Sequence, residues 1–195
     1  MIYRHLVLIA LLAVMLLLQS MHDSLGSWFE YQRAAILDGE VWRLISGHFT
    51  HINWSHLLLN LAGLALIWVL GFGRLGIIRQ LYAIFFCSLA ISCALLVFNT
   101  DIAWYQGFSG VLHGLFAVIA AQYLTDHKYF SLLLFLSLAI KIAHEQLVGR
   151  MPWHQEFTDF LVVADAHLYG AIAGLVIAVM YFLPRAPSQN RDVIS

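Results

Sequence analysis

Gly107-Phe108-Ser109-Gly110-Val111-Leu112-His113-Gly114 opens an apolar run that continues to about residue 125, so a hydroxyl stands at the mouth of a hydrophobic helix. Nearly sixty residues later Ala166-His167, followed by Gly170 and Gly174, opens another such run. Polar side chains are costly in a bilayer and persist where they are used. A serine and an imidazole near the same end of two membrane helices are the two parts that nucleophilic catalysis requires.

Composition sets the surroundings of this pair. Of 195 residues, 62% are hydrophobic and 11% charged, far from the balance of a soluble domain. The chain reads as an all-α integral membrane protein whose partners are the lipid bilayer and other membrane-borne proteins. A net charge of -1 leaves no basic surface for nucleic acid. Cys87 and Cys93 fall within one apolar run, six residues apart, and read as buried small residues rather than a disulfide. The first run, Leu6 to Leu18, resembles a signal peptide but lacks a small-x-small cleavage site after it, so it is expected to be a retained span.

A crossing helix needs roughly 20 mostly apolar residues. The chain supplies six candidates, at about 3–21, 54–72, 78–98, 108–125, 129–147 and 161–183, within one membrane domain covering 1–195. Only 22–53 and 147–160 are sizeable connections, and 184–195 is a short tail. With both termini cytoplasmic, the inner segments carry Arg4, Arg74, Arg79, Lys128, Arg185 and Arg191 against Asp126 and Asp192. The outer segments then carry four basic residues, Lys141 among them, against eight acidic ones, Glu145 among them. Excess positive charge marks the cytoplasmic side. In this topology the second, fourth and sixth spans all begin at the outer face. Their first turns hold His56 and Asn60, Ser109 and His113, and Asp165 and His167.

Each of these residues has a chemical and a structural reading. Ser109 at a helix N-terminus would have unpaired N–H groups and a positive dipole end beside it, yet GxSG is also ordinary helix packing. Gly107 and Gly110 permit a tight entry and close approach of a substrate backbone. His167 is either a general base or a structural histidine. Gly110 and Gly114 facing Gly170 and Gly174 would let two helices approach closely and bring His167 to Ser109. His56 and Asn60, one turn apart, could donate to an oxyanion or cap the second span. His113, four residues after Ser109, is assigned to shaping the site or contacting substrate, or to structure alone. Asp165 lies two residues before His167, on a different helix face, and suits a polar cap better than a third catalytic member. His48, His51 and His56 lack HExxH or a cysteine partner, so neither a metal nor another cofactor is expected.

Together these residues resemble the rhomboid family of intramembrane serine proteases. The likeness rests on Gly107 to Gly110, on Ala166-His167 with its spaced glycines, on His56 and Asn60, and on Trp42-Arg43 after Glu40. It implies a six-helix rhomboid fold, a Ser109–His167 dyad, an oxyanion hole at His56 and Asn60, and a structural motif at Trp42 and Arg43. The His113-Gly114 extension and the compact size look like the rhombosortase branch. That branch implies a bacterial inner-membrane enzyme open to the periplasm, whose substrates are exported proteins with a C-terminal Gly-Gly and transmembrane tail. The alternatives are a general rhomboid protease of other single-span proteins and a non-catalytic protein that binds membrane helices.

The topology is testable by cysteine accessibility. Positions near Arg74 and Lys128 are expected to react from the cytoplasmic side, and those near Asp101 and Trp153 from the outer side. The reverse pattern would remove the common depth of the candidate residues.

Overall fold

The computed structural model describes residues 5–148 and 163–182. These form α1 (Leu6–Ser20), α2 (His22–Phe29), α3 (Arg33–Leu37), α4 (Arg43–Ser46), α5 (Trp54–Leu70), α6 (Ile77–Phe98), α7 (Ser109–Gln122), α8 (Lys128–Leu147) and α9 (Ala164–Phe182). Each of the six apolar segments contains one long helix. Among them α6, α8 and α9 are long and apolar enough to cross a membrane, and α1 with α2, bent by 114°, makes a fourth candidate. The 17 residues of α5 and 14 of α7 correspond to roughly 26 and 21 Å of helix, shorter than the ~30 Å hydrocarbon core.

Local chemistry sets the ends of the short helices. Asn53 caps α5, its Oδ1 accepting from the His56 N–H at 2.8 Å. Gly71, at φ 149°, ends that helix in a conformation open to glycine. Helix α7 is central, packed against α5, α6, α8 and α9. Val111, Leu115, Val118 and Ile119 are fully buried along it. A helix sheathed by protein need not match the bilayer's thickness.

The connection 22–53 is ordered structure rather than a plain loop. It contains α2, α3 and α4, and a two-residue strand β1 (Tyr31–Gln32) pairs antiparallel with β2 (Trp104–Tyr105). This small ladder departs from the expected all-α content. It extends through Arg33 N–H to Ala103 O at 2.9 Å, and separately Gly107 N–H donates to Gly47 O, after α4, at 3.2 Å, tying the connection to the segment that enters α7. Arg43, 4% exposed, donates to Glu40 at 2.6 Å, Ser27 O at 2.7 Å and Glu30 O at 2.9 Å. Its guanidinium therefore joins three points of the connection, while Trp42 Nε1 donates to Trp28 O at 3.2 Å.

The closest packing lies between α7 and α9. A Cβ added at Gly110 would stand 2.8 Å from Ala166 O, and one at Gly114 would stand 2.7 Å from Gly170 O. In the opposite direction, a Cβ at Gly170 would overlap the Gly110 carbonyl, and one at Gly174 the Gly114 carbonyl. Four glycines therefore interlock two backbones, as small residues do in membrane helix pairs. Gly174→Leu is expected to cost at least the ~1–3 kcal/mol typical of overpacking and to lower the unfolding temperature in detergent. The same change at Gly76, where a Cβ meets nothing within 4 Å, is expected to leave it nearly unchanged.

Candidate active site

The site is assembled from the first turns of α5, α7 and α9 and the last turns of α8. Gly107, at φ 128°, turns the chain into α7. A Cβ there would lie 2.6 Å from the His56 ring, so glycine is required by both conformation and space. The residue preceding α7 is Phe108, which offers no side-chain cap. The amides of the first turn thus begin α7 without a side-chain acceptor, and Ser109 carries one of them into the site.

His167, 3% exposed, lies beside that serine. Its Nε2 is 2.8 Å from Ser109 Oγ, the distance of a good hydrogen bond. Its Nδ1 is 2.8 Å from Glu145 Oε2 on α8, and Glu145 Oε1 is 2.6 Å from Lys141 Nζ, one turn earlier. Ser109, His167, Glu145 and Lys141 therefore form one continuous polar chain across three helices. The charge count places Lys141 and Glu145 in the outer segments. Both take part in this chain, with the Glu145 side chain 4% exposed and that of Lys141 35%. A charged pair four residues apart inside an apolar helix was the available signal.

His113 occupies the same neighbourhood in another way. Its ring stacks on that of His167, with centroids 4.2 Å apart and planes 16° from parallel. Its Nδ1 donates to the Ser109 carbonyl at 2.7 Å. It therefore backs the imidazole face and lies out of line with the serine hydroxyl. Asp165 turns away from His167. It accepts from Asn99 at 2.5 Å and Gln146 at 3.2 Å, and Tyr169 OH donates to the same Asn99 at 2.8 Å. The carboxylate two residues before the histidine thus fastens the ends of α6, α8 and α9 together.

His56 and Asn60 lie across from Ser109 on a cavity of about 440 Å³. The Asn60 amide donates one N–H to His56 O at 2.9 Å, and an amide nitrogen carries two. The His56 ring also meets His51 edge-on at 5.1 Å. Outside the spans, burial pushes His51 down to about 3, with His56 adding to the shift, and His48 to about 4. Both rings are therefore neutral near pH 7. Tyr105, unremarked in the sequence, also lines the cavity, and burial raises its phenol above the ordinary range. The cavity continues past Gly63 to Leu66, Phe116 and Leu138, so one end is polar and the other apolar. Of the second connection, residues 149–160 lie outside the described residues.

Three possible metal donors, on His113, Glu145 and His167, lie within 4.8 Å of one another. Their orientation opposes a shared ion. Imidazole lone pairs lie in the ring plane, and two nearly parallel rings 4.2 Å apart cannot direct both toward one point at the ~2 Å of a metal–nitrogen bond.

The architecture and site define a multi-pass helical membrane protein with a part-buried serine–histidine contact. The sequence matches the Rhomboid domain over residues 38–184, and the chain belongs to the rhomboid family of intramembrane serine proteases. No curated protein matches it.

The stacking geometry makes a distinct prediction for His113. His113→Ala is expected to slow cleavage by up to about tenfold, commensurate with the ~0.5–1.5 kcal/mol of an aromatic contact, while Ser109 still reacts with a fluorophosphonate. His113→Phe, which keeps a stacking face, is expected to recover most of the loss. Abolition of both activities by either change would instead place His113 among the reacting groups.

Proposed function

We propose that the chain is an intramembrane serine endopeptidase working through Ser109 and His167. The observation that carries this reading is the 2.8 Å contact between His167 Nε2 and Ser109 Oγ at the polar end of the cavity. The Ser109 hydroxyl attacks a peptide carbonyl, and its proton passes to His167 Nε2 as the Oγ–C bond forms. The carbonyl electron pair moves onto oxygen, where the Ser109 N–H, Asn60 and His56 donate. Each such donor is worth about 10²–10³ in rate. Collapse of the intermediate breaks the C–N bond, and His167 returns the proton to the leaving amine. Water, deprotonated by the same imidazole, then releases the acyl product and regenerates the serine.

The substrate in this reading is a membrane-anchored protein with a C-terminal tail containing Gly-Gly and one transmembrane helix, as in the rhombosortase branch. One property of the tail and one of the site support it. Glycine gives a backbone that leaves helical structure readily and presents no side chain to the site. The apolar extension of the cavity along α5, from Leu59 to Ile67, offers a surface for hydrocarbon side chains adjoining the scissile bond. All six long helices cross the bilayer in this arrangement, with both termini cytoplasmic and the site facing the periplasm of a bacterial inner membrane.

Fluorophosphonate labelling and a Gly-Gly-tailed reporter test the two parts separately. Wild type is expected to label and to cleave the reporter, and Ser109→Ala to do neither. Equal labelling of both proteins, or of neither, would sink the protease reading in favour of helix binding without cleavage. Labelling together with cleavage of other single-span substrates, but not of the Gly-Gly tail, would leave a general rhomboid protease.

A further inference from the structure

We propose that Glu145 is a positioning residue for His167, completing a Ser109–His167–Glu145 relay that Lys141 holds in place. This rests on the serine–histidine reading above and adds a third member to the dyad. Hydrogen-bond direction fixes the tautomer of His167. An ionised carboxylate only accepts hydrogen bonds, so the 2.8 Å contact with Glu145 Oε2 requires the proton of the neutral imidazole on Nδ1. The lone pair is then on Nε2, which faces Ser109 Oγ at 2.8 Å. The serine hydroxyl becomes the donor of that bond, the arrangement needed for its proton to leave toward His167.

Charge strengthens the same assignment. Proton transfer from Ser109 turns His167 into an imidazolium, and the Glu145 and His167 side chains are each only 4% exposed. A cation formed there has little water to stabilise it, and the adjacent carboxylate supplies that stabilisation. Glu145 keeps its negative charge throughout, and the Nδ1 proton stays on His167, so only the serine proton moves. Lys141, through its 2.6 Å contact with Oε1, compensates the buried carboxylate and fixes which oxygen remains for the histidine. A buried carboxylate without a partner is costly, and a paired one is held in a defined geometry.

Asp165 cannot take this part, because both of its oxygens are engaged by Asn99 and Gln146. His113 cannot either. Its Nδ1 is directed at a backbone carbonyl and its ring lies over the face of His167, where an imidazole presents no N–H.

The test compares full-length wild type with Glu145→Gln, Glu145→Asp and Lys141→Met in detergent. The readouts are the second-order rate of fluorophosphonate labelling and the separate kcat and KM for a cleaved reporter. Glu145→Gln keeps the size of the side chain but removes its charge. The corresponding change in a serine–histidine–aspartate triad lowers kcat about 10⁴-fold. Here the expected loss is about 10²–10⁴ in kcat and in labelling rate, with KM and unfolding temperature nearly unchanged. Glu145→Asp is expected to recover part of the loss, and Lys141→Met to fall between. Glu145→Gln labelling within about threefold of wild type would overturn the relay while leaving the protease reading intact.

If wild type itself fails to label, the protease reading falls, and the relay with it. Should Glu145→Gln not fold, the decision passes to proton NMR of wild type with isotope-labelled histidine. A far-downfield Nδ1–H resonance that disappears in His167→Ala supports the carboxylate bond. Its absence from a folded, labelling wild type overturns it.

Discussion

Everything in the site depends on how closely α7 and α9 approach. With any side chain at Gly170 or Gly174 the two backbones could not occupy their present positions, because the added atom would fall on a carbonyl of the other helix. A wider separation would carry His167 away from Ser109, and proton transfer requires hydrogen-bond reach. In a bilayer this contact cannot be driven by exclusion of water from apolar surface. It must come from packing and from the small size of the residues. Glycine here serves the chemistry indirectly, by setting a distance.

The polar groups work within that frame and do not create it. Helix α9 lies along α7 and packs more sparsely against α8. Across this looser boundary run two polar links, Glu145 to His167 and Gln146 to Asp165. Buried ion pairs add little net stability, because desolvation offsets their attraction. Their contribution is direction: the link fixes the azimuth of the imidazole, and the stacked His113 ring limits its tilt. A histidine held on its edge and on one face has few orientations left, as the base role proposed for His167 requires.

The parts legible in the sequence were those encoded locally. Each apolar run fills one helix, and GxSG and the glycines spaced by four each fall within a turn or two; Gly110, Gly114, Gly170 and Gly174 meet at the α7–α9 contact. The β1–β2 ladder was not legible, because two-residue strands have no periodicity to detect. Glu145 escaped for a different reason. Lys141 and Glu145 lie near the end of α8, where charge is ordinarily read as the edge of the membrane. The spacing hints at a functional pair, and the contact between α8 and α9, a tertiary fact, shows that their shared face points inward.

The contrast between the two carboxylates near His167 follows from helix geometry. A residue two positions earlier on the same helix is rotated by about 200°, so Asp165 faces nearly opposite to the histidine it almost adjoins in sequence. It meets Asn99 and Gln146 there and secures the helix ends. A carboxylate that contacts the outer edge of the imidazole must come from a neighbouring helix, and α8 supplies Glu145 twenty-two residues earlier. Proximity in sequence is thus a poor guide to which carboxylate reaches the imidazole in a helical site. The face that each helix turns toward the histidine decides which acid can serve it.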